Sequence, residues 1–246
     1  MRAMTRETWL IDIGNTHTTG ARLTDGGWET PWQMSTADFL TQGRFPGVDF
    51  ESHLILSSVV PQVDIVLKRF YPHPFFITYQ NLPQLKLNLE KPEEVGSDRI
   101  VNALAAYIIT SGPVLIVDCG TALTWCYVDR TGTYQGGAIF PGTHLCTQAL
   151  AEHTAKIGAV PFVCNLDLVG KTTVAAVQVG ITNVFVQAIN GMIATFKDRE
   201  PDLVVFGTGN GLLPLQIHLN VDRYEPHLIF HGLAYCAQKI AGTHAI

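Results

Sequence analysis

One motif occurs twice in this 246-residue chain, and it constrains the fold more than any other feature. Asp12-Ile-Gly-Asn-Thr16 returns in altered form as Asp118-Cys-Gly-Thr-Ala122. Each copy follows an apolar run, Trp9-Leu-Ile11 and Val114-Leu-Ile-Val117. Each then leads through a second β-like stretch to a glycine-bearing turn, Leu23-Thr-Asp-Gly-Gly27 and Asp129-Arg-Thr-Gly132. Two such units half a chain apart predict an internal duplication with one hairpin per half. Glycine lets a backbone approach a ligand closely, and successive turn N–H groups can face phosphate oxygens. A carboxylate beside such a turn repels phosphate unless a cation lies between them. One Asp-x-Gly is ordinary turn chemistry. Two with matching flanks point to nucleotide phosphotransfer.

Bulk properties agree with a soluble globular protein. At 47% hydrophobic and 15% charged residues, the chain can bury a core and is not disordered. The net charge is −5 with no run of Lys or Arg, which disfavours nucleic acid or an anionic membrane as partner. Cys119, Cys126, Cys146, Cys164 and Cys236 form no Cys-x-x-Cys and are odd in number, which suits free thiols in a reducing compartment. The stretch from Met1 to Trp9 carries Arg2 and Arg6 and no apolar signal region, so a cytoplasmic location is expected; Met4 is an alternative start. No apolar stretch is expected to reach the length of a membrane span.

The pattern predicts strands around each Asp-x-Gly, at Leu54–Val60, Phe75–Thr78 and Leu203–Phe206, and a short helix at Val63–Phe70. From Gly96 a helix presents Ile100, Leu104, Tyr107 and Ile108 on one face and ends at Gly112-Pro113. Further helices are predicted at about 143–153, 172–197 and 231–241. The long one carries an apolar stripe of Val174, Val177, Ile181, Val184, Ala188 and Met192. Strands mixed with helices in two similar halves argue an α/β fold with domains at 1–112 and 113–246 and a ligand cleft between them.

Several tempting motifs fail. Gly170-Lys-Thr-Thr173 looks like the end of a P-loop, but Asn165 stands where that template needs its first glycine. Gly207-Thr-Gly-Asn-Gly211 lacks the last glycine of a dinucleotide fingerprint; it is a plain turn or a segment passing close to a base or ribose. The nine histidines show no metal-ligand spacing, and no Gly-x-Ser-x-Gly elbow occurs. Gly96-Ser-Asp-Arg99 is sharper. Asp98 and Arg99 fall in the first turn of a helix, where an acid serves as cap or dipole partner. Alternatively, Asp98 takes a proton from a substrate hydroxyl while Arg99 binds a substrate anion, as phosphoryl transfer to an alcohol requires.

Taken in order, Asp12-Ile-Gly-Asn-Thr16, Ser57-Ser-Val-Val-Pro61, Pro92-Glu-Glu-Val-Gly-Ser-Asp-Arg99, Asp118-Cys-Gly-Thr-Ala122, Gly136-Gly-Ala-Ile-Phe-Pro-Gly142, Gly170-Lys-Thr-Thr173 and Leu228-Ile-Phe-His-Gly-Leu233 resemble the type III pantothenate kinases over nearly the whole chain. That family belongs to the superfamily of acetate and sugar kinases, heat-shock chaperones and actin. The resemblance implies two ribonuclease-H-like domains with the active site in the cleft between them. It implies ATP-dependent phosphorylation of pantothenate, the first step of coenzyme A synthesis, with magnesium and a monovalent cation, potassium or ammonium. It assigns the ATP phosphates to Asp12, Ile13, Gly14, Asn15, Thr16, His17, Thr18 and Thr19, with Thr121 contacting ATP from the second hairpin. Pantothenate falls to Gly96, Ser97, Asp98 and Arg99, with Asp98 as base, and the monovalent cation to Asp118. Thr173 would complete the pantothenate site from the partner subunit of a homodimer.

Three positions depart from the family pattern. Cys126 stands where many members carry Asp, Leu89 where some have a Tyr that contacts pantothenate, and Thr18-Thr19 lacks a Lys that some use near phosphate. Two other functions share the fold: a nucleotide-binding regulatory protein with little turnover, which needs no base beside a substrate arginine, and a kinase of another small hydroxy acid.

Overall fold

Both Asp-x-Gly copies are turns of β-hairpins in the computed structural model, which describes residues 7–29 and 31–243. Arg2, Met4 and Arg6 lie outside the described residues. The first hairpin is β1 (Thr8–Ile13) against β2 (His17–Thr24), with Asp12 opposite Thr19. β3 (Gly27–Trp28) and β4 (Trp32–Ser35) both pair with β2, and α1 (Thr36–Gln42) follows. β5 (His53–Ser58) runs parallel to β1 and sets Ser57 beside Asp12 and Ser58 beside Ile13. α2 (Pro61–Phe70) starts on a proline, whose missing N–H costs nothing in a first turn. β6 (Pro74–Phe76) completes the order β3-β2-β1-β5-β6; β7 (Lys86–Leu87) and α3 (Ser97–Thr110) come next.

Strand alternation sorts the side chains. Trp9, Ile11 and Ile13 of β1 join Leu54, Leu56, Phe39, Val63 and Leu67 in one core. Phe45 stacks on Phe39 with ring centroids 4.3 Å apart, and its N–H donates to the Tyr71 hydroxyl at 3.2 Å. Asp12 and Ser57 point to the opposite face of the sheet, with Leu10 and Ile55. α3 departs from the expected single stripe. Its first half is buried all round through Ile100, Val101, Ala103, Leu104, Ala105 and Ala106, while Tyr107 and Ile108 are only partly covered.

The second half repeats that five-strand path. β8 (Val114–Cys119) and β9 (Ala122–Val128) form the hairpin, extended by β10 (Thr133–Pro141). α4 (Thr143–His153) and α5 (Thr173–Arg199) precede β11 (Val204–Thr208), parallel to β8, and β12 (Arg223–Tyr224), parallel to β11. The order β10-β9-β8-β11-β12 thus mirrors β3-β2-β1-β5-β6. Asp118 lies between Thr124 and Thr208 as Asp12 lies between Thr19 and Ser57. The duplication read from the two motifs is a duplication of sheets.

α5 corrects two expectations. It is long and apolar enough, by length and composition, to cross a membrane. It nonetheless packs as a core helix, with Val177, Ile181, Phe185, Ile189 and Ile193 buried among Leu115, Val117 and Val205 of the sheet. The covered face is not the predicted stripe either. Val177 and Ile181 belong to it, but Val174, Val184 and Ala188 are exposed. Two apolar stripes of similar spacing run along this helix, and spacing alone does not say which one meets the sheet.

α6 (Leu228–Thr243) belongs to the first half rather than the second. The chain divides into Met1–Ile108 with Leu228–Ile246, and Ile109–His227, in place of the expected division after residue 112. α6 packs on β1, β3 and β5. Its Phe230 ring lies 5.3 Å from Trp28. Gly232 sits so close to the Val101 carbonyl of α3 that a methyl group there would overlap it. The preceding proximity of chain segments in sequence gives no hint of this return.

Candidate active site

In the first unit the β1–β2 turn is held from below. Gly14 N–H donates to the His17 carbonyl at 3.0 Å and closes the turn, leaving Asn15, Thr16 and His17 exposed at its tip. Thr36, at the start of α1, donates its hydroxyl to the Gly14 carbonyl at 2.7 Å, and its N–H donates to the Thr16 carbonyl at 3.1 Å. Thr18 lies 3.0 Å from the Thr36 hydroxyl and is 0% exposed. Since Thr36 has given its one proton to Gly14, Thr18 is the donor between them. Thr18 therefore faces a latch beneath the turn. Ile13 is a core residue that offers only backbone. Asp12 and Thr19 share the opposite face, both half-buried. Thr36 was not found from sequence, because no spacing rule connects it to a turn 22 residues earlier.

Gly96, Ser97, Asp98 and Arg99 come together at the first turn of α3. Burial pushes the Asp98 carboxyl above its usual range; the Arg99 N–H, donated to Asp98 Oδ1 at 2.8 Å, and the Arg99 charge oppose the rise. A raised carboxylate is a better proton acceptor once ionised, which suits a general base. The carboxylate folds back over Gly96, so a methyl group there would sit 2.5 Å from Asp98 Oδ1 and 3.3 Å from Val59 Cγ1. The obstructed atom is the end of a flexible side chain, so the fold can yield. Gly96→Ala is therefore expected to melt within about 3 °C of wild type, since no backbone is obstructed. Its kcat should fall about tenfold or more, because the displaced group is the candidate base. Thermal melts beside steady-state rates check this; unchanged kcat would mean that the carboxylate position is immaterial.

Ser97 is placed differently from a ligand-facing residue. It is 8% exposed, and its hydroxyl donates to the Ser58 carbonyl at 2.9 Å, accepts the Ser58 N–H at 2.8 Å and lies 3.1 Å from the Ser57 hydroxyl. Ser58 in turn donates its hydroxyl to Asp64 Oδ1 of α2 at 2.5 Å. The next residue, Val59, donates its N–H to the Ile13 carbonyl at 3.1 Å. Ser57-Ser58 thus joins the Asp12 turn to the Asp98 turn.

In the second unit the hairpin turn is tighter. Gly120 N–H donates to the Ala122 carbonyl at 2.9 Å, and exposed Thr121 accepts the Gly142 N–H through its carbonyl at 2.8 Å. Gly142 is the residue before α4. Asp118 Oδ1 and the Cys119 carbonyl oxygen converge on Gly209, whose φ of 84° favours glycine and which has no room for a methyl group. The Tyr224 hydroxyl donates to the Gly209 carbonyl at 3.2 Å. Burial, and secondarily Asp118, push the Tyr224 phenol up. Cys119 is pushed up to about 12 by burial and stays a thiol. Cys126 lies buried on the Asp118 face of the hairpin, where it receives the Tyr134 hydroxyl at 3.4 Å. Among the described residues no group of three His, Cys, Asp or Glu side chains is placed to hold a metal. The oxygens around Gly209, a carboxylate and backbone carbonyls, are hard donors of the kind that suit potassium or magnesium.

The Gly170-Lys-Thr-Thr173 segment is a helix start without a preceding strand. Thr172 Oγ1 accepts the Ala175 N–H at 3.1 Å, and Gly170 lies on the backbone of Ala175 and Ala176. Thr173 is exposed at the first position of α5.

Paired sheets of this topology, each with an acidic hairpin, define the two-domain α/β architecture shared by sugar kinases and actin-like proteins. Two solved structures support that class. A conserved Campylobacter jejuni protein described as a candidate Baf family transcriptional activator superposes with a TM-score of 0.64 at 21% identity, over 95% of this chain and 99% of that one. A candidate 2-dehydro-3-deoxygalactonokinase from Sinorhizobium meliloti superposes with a TM-score of 0.61 at 14% identity, over 95% and 96%. Residues 9–195 match the family model for type III pantothenate kinase. A Listeria innocua relative of that name is 33% identical over 244 residues, 91% of this chain and 94% of its own length. The chain belongs to the type III pantothenate kinase family.

Proposed function

We propose that the protein transfers the γ-phosphoryl group of ATP to the primary hydroxyl of pantothenate, giving 4'-phosphopantothenate and ADP at the entry to coenzyme A synthesis. One observation carries this reading. Ser57 lies beside Asp12 in register and 3.1 Å from Ser97, so a phosphate-binding turn and a desolvated carboxylate are tied to the same two residues of β5. The N–H groups of Asn15 and Thr16, at the exposed tip of the turn, meet the phosphates. Asp98 accepts the hydroxyl proton as the substrate oxygen bonds to phosphorus and the bond to ADP breaks. Arg99, always charged, pairs with the pantothenate carboxylate. Thr121 meets ATP from the second hairpin.

ATP adds several negative charges to an acidic chain that already places Asp12 and Asp118 at its two hairpins. Magnesium beside Asp12 and a monovalent cation at Asp118, supported by the Cys119 carbonyl, would neutralise that charge. With Cys126 in place of a second carboxylate, Asp118 is the one anionic ligand on its face of the hairpin. A coupled ADP-release assay with and without pantothenate, in potassium and then sodium buffer, tests the reading. Turnover that needs pantothenate and is stimulated by potassium supports it; ATP hydrolysis indifferent to pantothenate sinks it. Asp118→Ala should lose most of the potassium stimulation while changing the KM for pantothenate little, and full activity without potassium or ammonium would remove the cation from Asp118.

We further propose a cytoplasmic homodimer with Thr173 reaching the neighbour's pantothenate. Support comes from the apolar surface around the start of α5. Leu168 is 91% and Val169 76% exposed, with Val163, Leu166, Val174 and Val184 also uncovered. Patches of this kind mark protein contacts. The free state of all five cysteines suits a reducing compartment.

A further inference from the structure

We infer that Ser97 acts as a positioning residue, not as a pantothenate ligand: through Ser57, Ser58 and Asp64 it locks the first turn of α3 and so fixes the Asp98 carboxylate relative to the Asp12 turn. The inference rests on Asp98 being the base. A serine hydroxyl has one proton and two acceptor positions. At Ser97 the proton goes to the Ser58 carbonyl, one acceptor position takes the Ser58 N–H, and the other takes the Ser57 hydroxyl. No capacity remains for a substrate.

The same hydroxyl satisfies both backbone groups of Ser58, where β5 ends and ladder partners run out. The lock extends further. Ser58 points to the other side of the strand and donates to Asp64, in the first turn of α2, and its hydroxyl oxygen also receives the Val60 N–H at 3.3 Å. Burial raises the Asp64 carboxyl and the Ser58 bond opposes the rise, so the carboxylate is held half-desolvated for this contact. The ends of one strand and the starts of two helices are thereby fixed together immediately before Asp98. Phosphoryl transfer needs the base within hydrogen-bond reach of the attacking oxygen, and a shift of about 1 Å can cost roughly 100-fold in rate.

Ser97→Ala, Ser97→Thr and Asp64→Ala, with Asp98→Asn as reference, test the lock in the full-length protein. Ser97→Ala is expected to lower kcat about 10- to 100-fold, with the KM for ATP unchanged and faster amide exchange in the first turn of α3. Ser97→Thr keeps the hydroxyl and should recover most of the rate. Asp64→Ala should lower kcat roughly threefold, and should add nothing to Ser97→Ala, because both act through Ser58. A raised KM for pantothenate with kcat intact would make Ser97 a ligand and overturn the inference. Unchanged kcat and unchanged exchange in Ser97→Ala would overturn it as well. If that variant does not fold, Asp64→Ala carries the same two readouts. Amide exchange also separates the two readings: turnover retained in Asp98→Asn removes the base, while exchange in Ser97→Ala still reports whether the first turn is locked.

Discussion

Asparagine at position 98 is expected to lower kcat by roughly 10²–10⁴-fold and, at neutral pH, to raise the melting temperature. Both effects follow from one environment. Burial raises the Asp98 carboxyl pKa, against opposition from the Arg99 N–H and charge. The folded protein therefore keeps this proton at a higher pH than the unfolded chain does. The group's contribution to stability is full below the unfolded carboxyl pKa and is lost as pH rises through the folded one. At neutral pH the wild-type protein bears the cost of a desolvated carboxylate that asparagine lacks, while the asparagine oxygen can still accept the Arg99 N–H. The gain in melting temperature should shrink towards about pH 4, where the wild-type carboxyl is protonated too. The same direction predicts that activity falls on acidification at a pH above the ordinary carboxylate range. Melts at both pH values and a pH–rate profile check this. A variant with wild-type turnover would leave Asp98 as a helix-start residue alone.

Mixing two inactive variants should restore activity if active sites are shared between subunits. Asp98→Asn removes the proposed base, and Thr173→Val removes the hydroxyl proposed to reach the neighbour's pantothenate. In a heterodimer of the two, one site takes its Asp98 and its Thr173 from the unmutated positions, and the other site has lost both. Random exchange makes half the dimers mixed, so about a quarter of wild-type activity should return from two preparations that have almost none. The exposed position of Thr173, beside uncovered Leu168 and Val169, is what makes an intermolecular role physically accessible. A monomer by sedimentation at micromolar concentration, or no recovery after proven exchange, would end the shared-site proposal.

The parts of this molecule that were legible in sequence are those whose physics is local. Each hairpin shows itself through an apolar run, an Asp-x-Gly turn and a second run within about 20 residues, and both formed, with Asp12 opposite Thr19 and Asp118 opposite Thr124. α4 was legible from its flanking Pro141-Gly142 and has the predicted bounds. What stayed hidden depends on distant residues. Nothing in the sequence ties Thr36 to Gly14, or Ser97 to Ser57 across 40 residues. Both serine positions carried a family motif, yet their use as a lock needed the parallel pairing of β1 with β5. The β4–α1 segment escaped notice because Trp32–Ser35 is short and borders no strong turn signal. On α5, Val184 and Phe185 are both apolar neighbours, and only tertiary packing decides that Phe185 is covered and Val184 is not.

The return of α6 to β1, β3 and β5 gives the molecule an unusual order of completion. On a ribosome, the first unit's strands emerge well before the helix that covers them, with all of Ile109–His227 synthesised in between. Domains made of one continuous segment can close as soon as they leave the exit tunnel. Here the second unit is available to fold first, while β1, β5 and the Trp28 ring wait for α6 and its Phe230. The half that holds Asp98 is therefore the last to mature, and a nascent chain stalled before residue 228 should bind chaperones through that uncovered sheet.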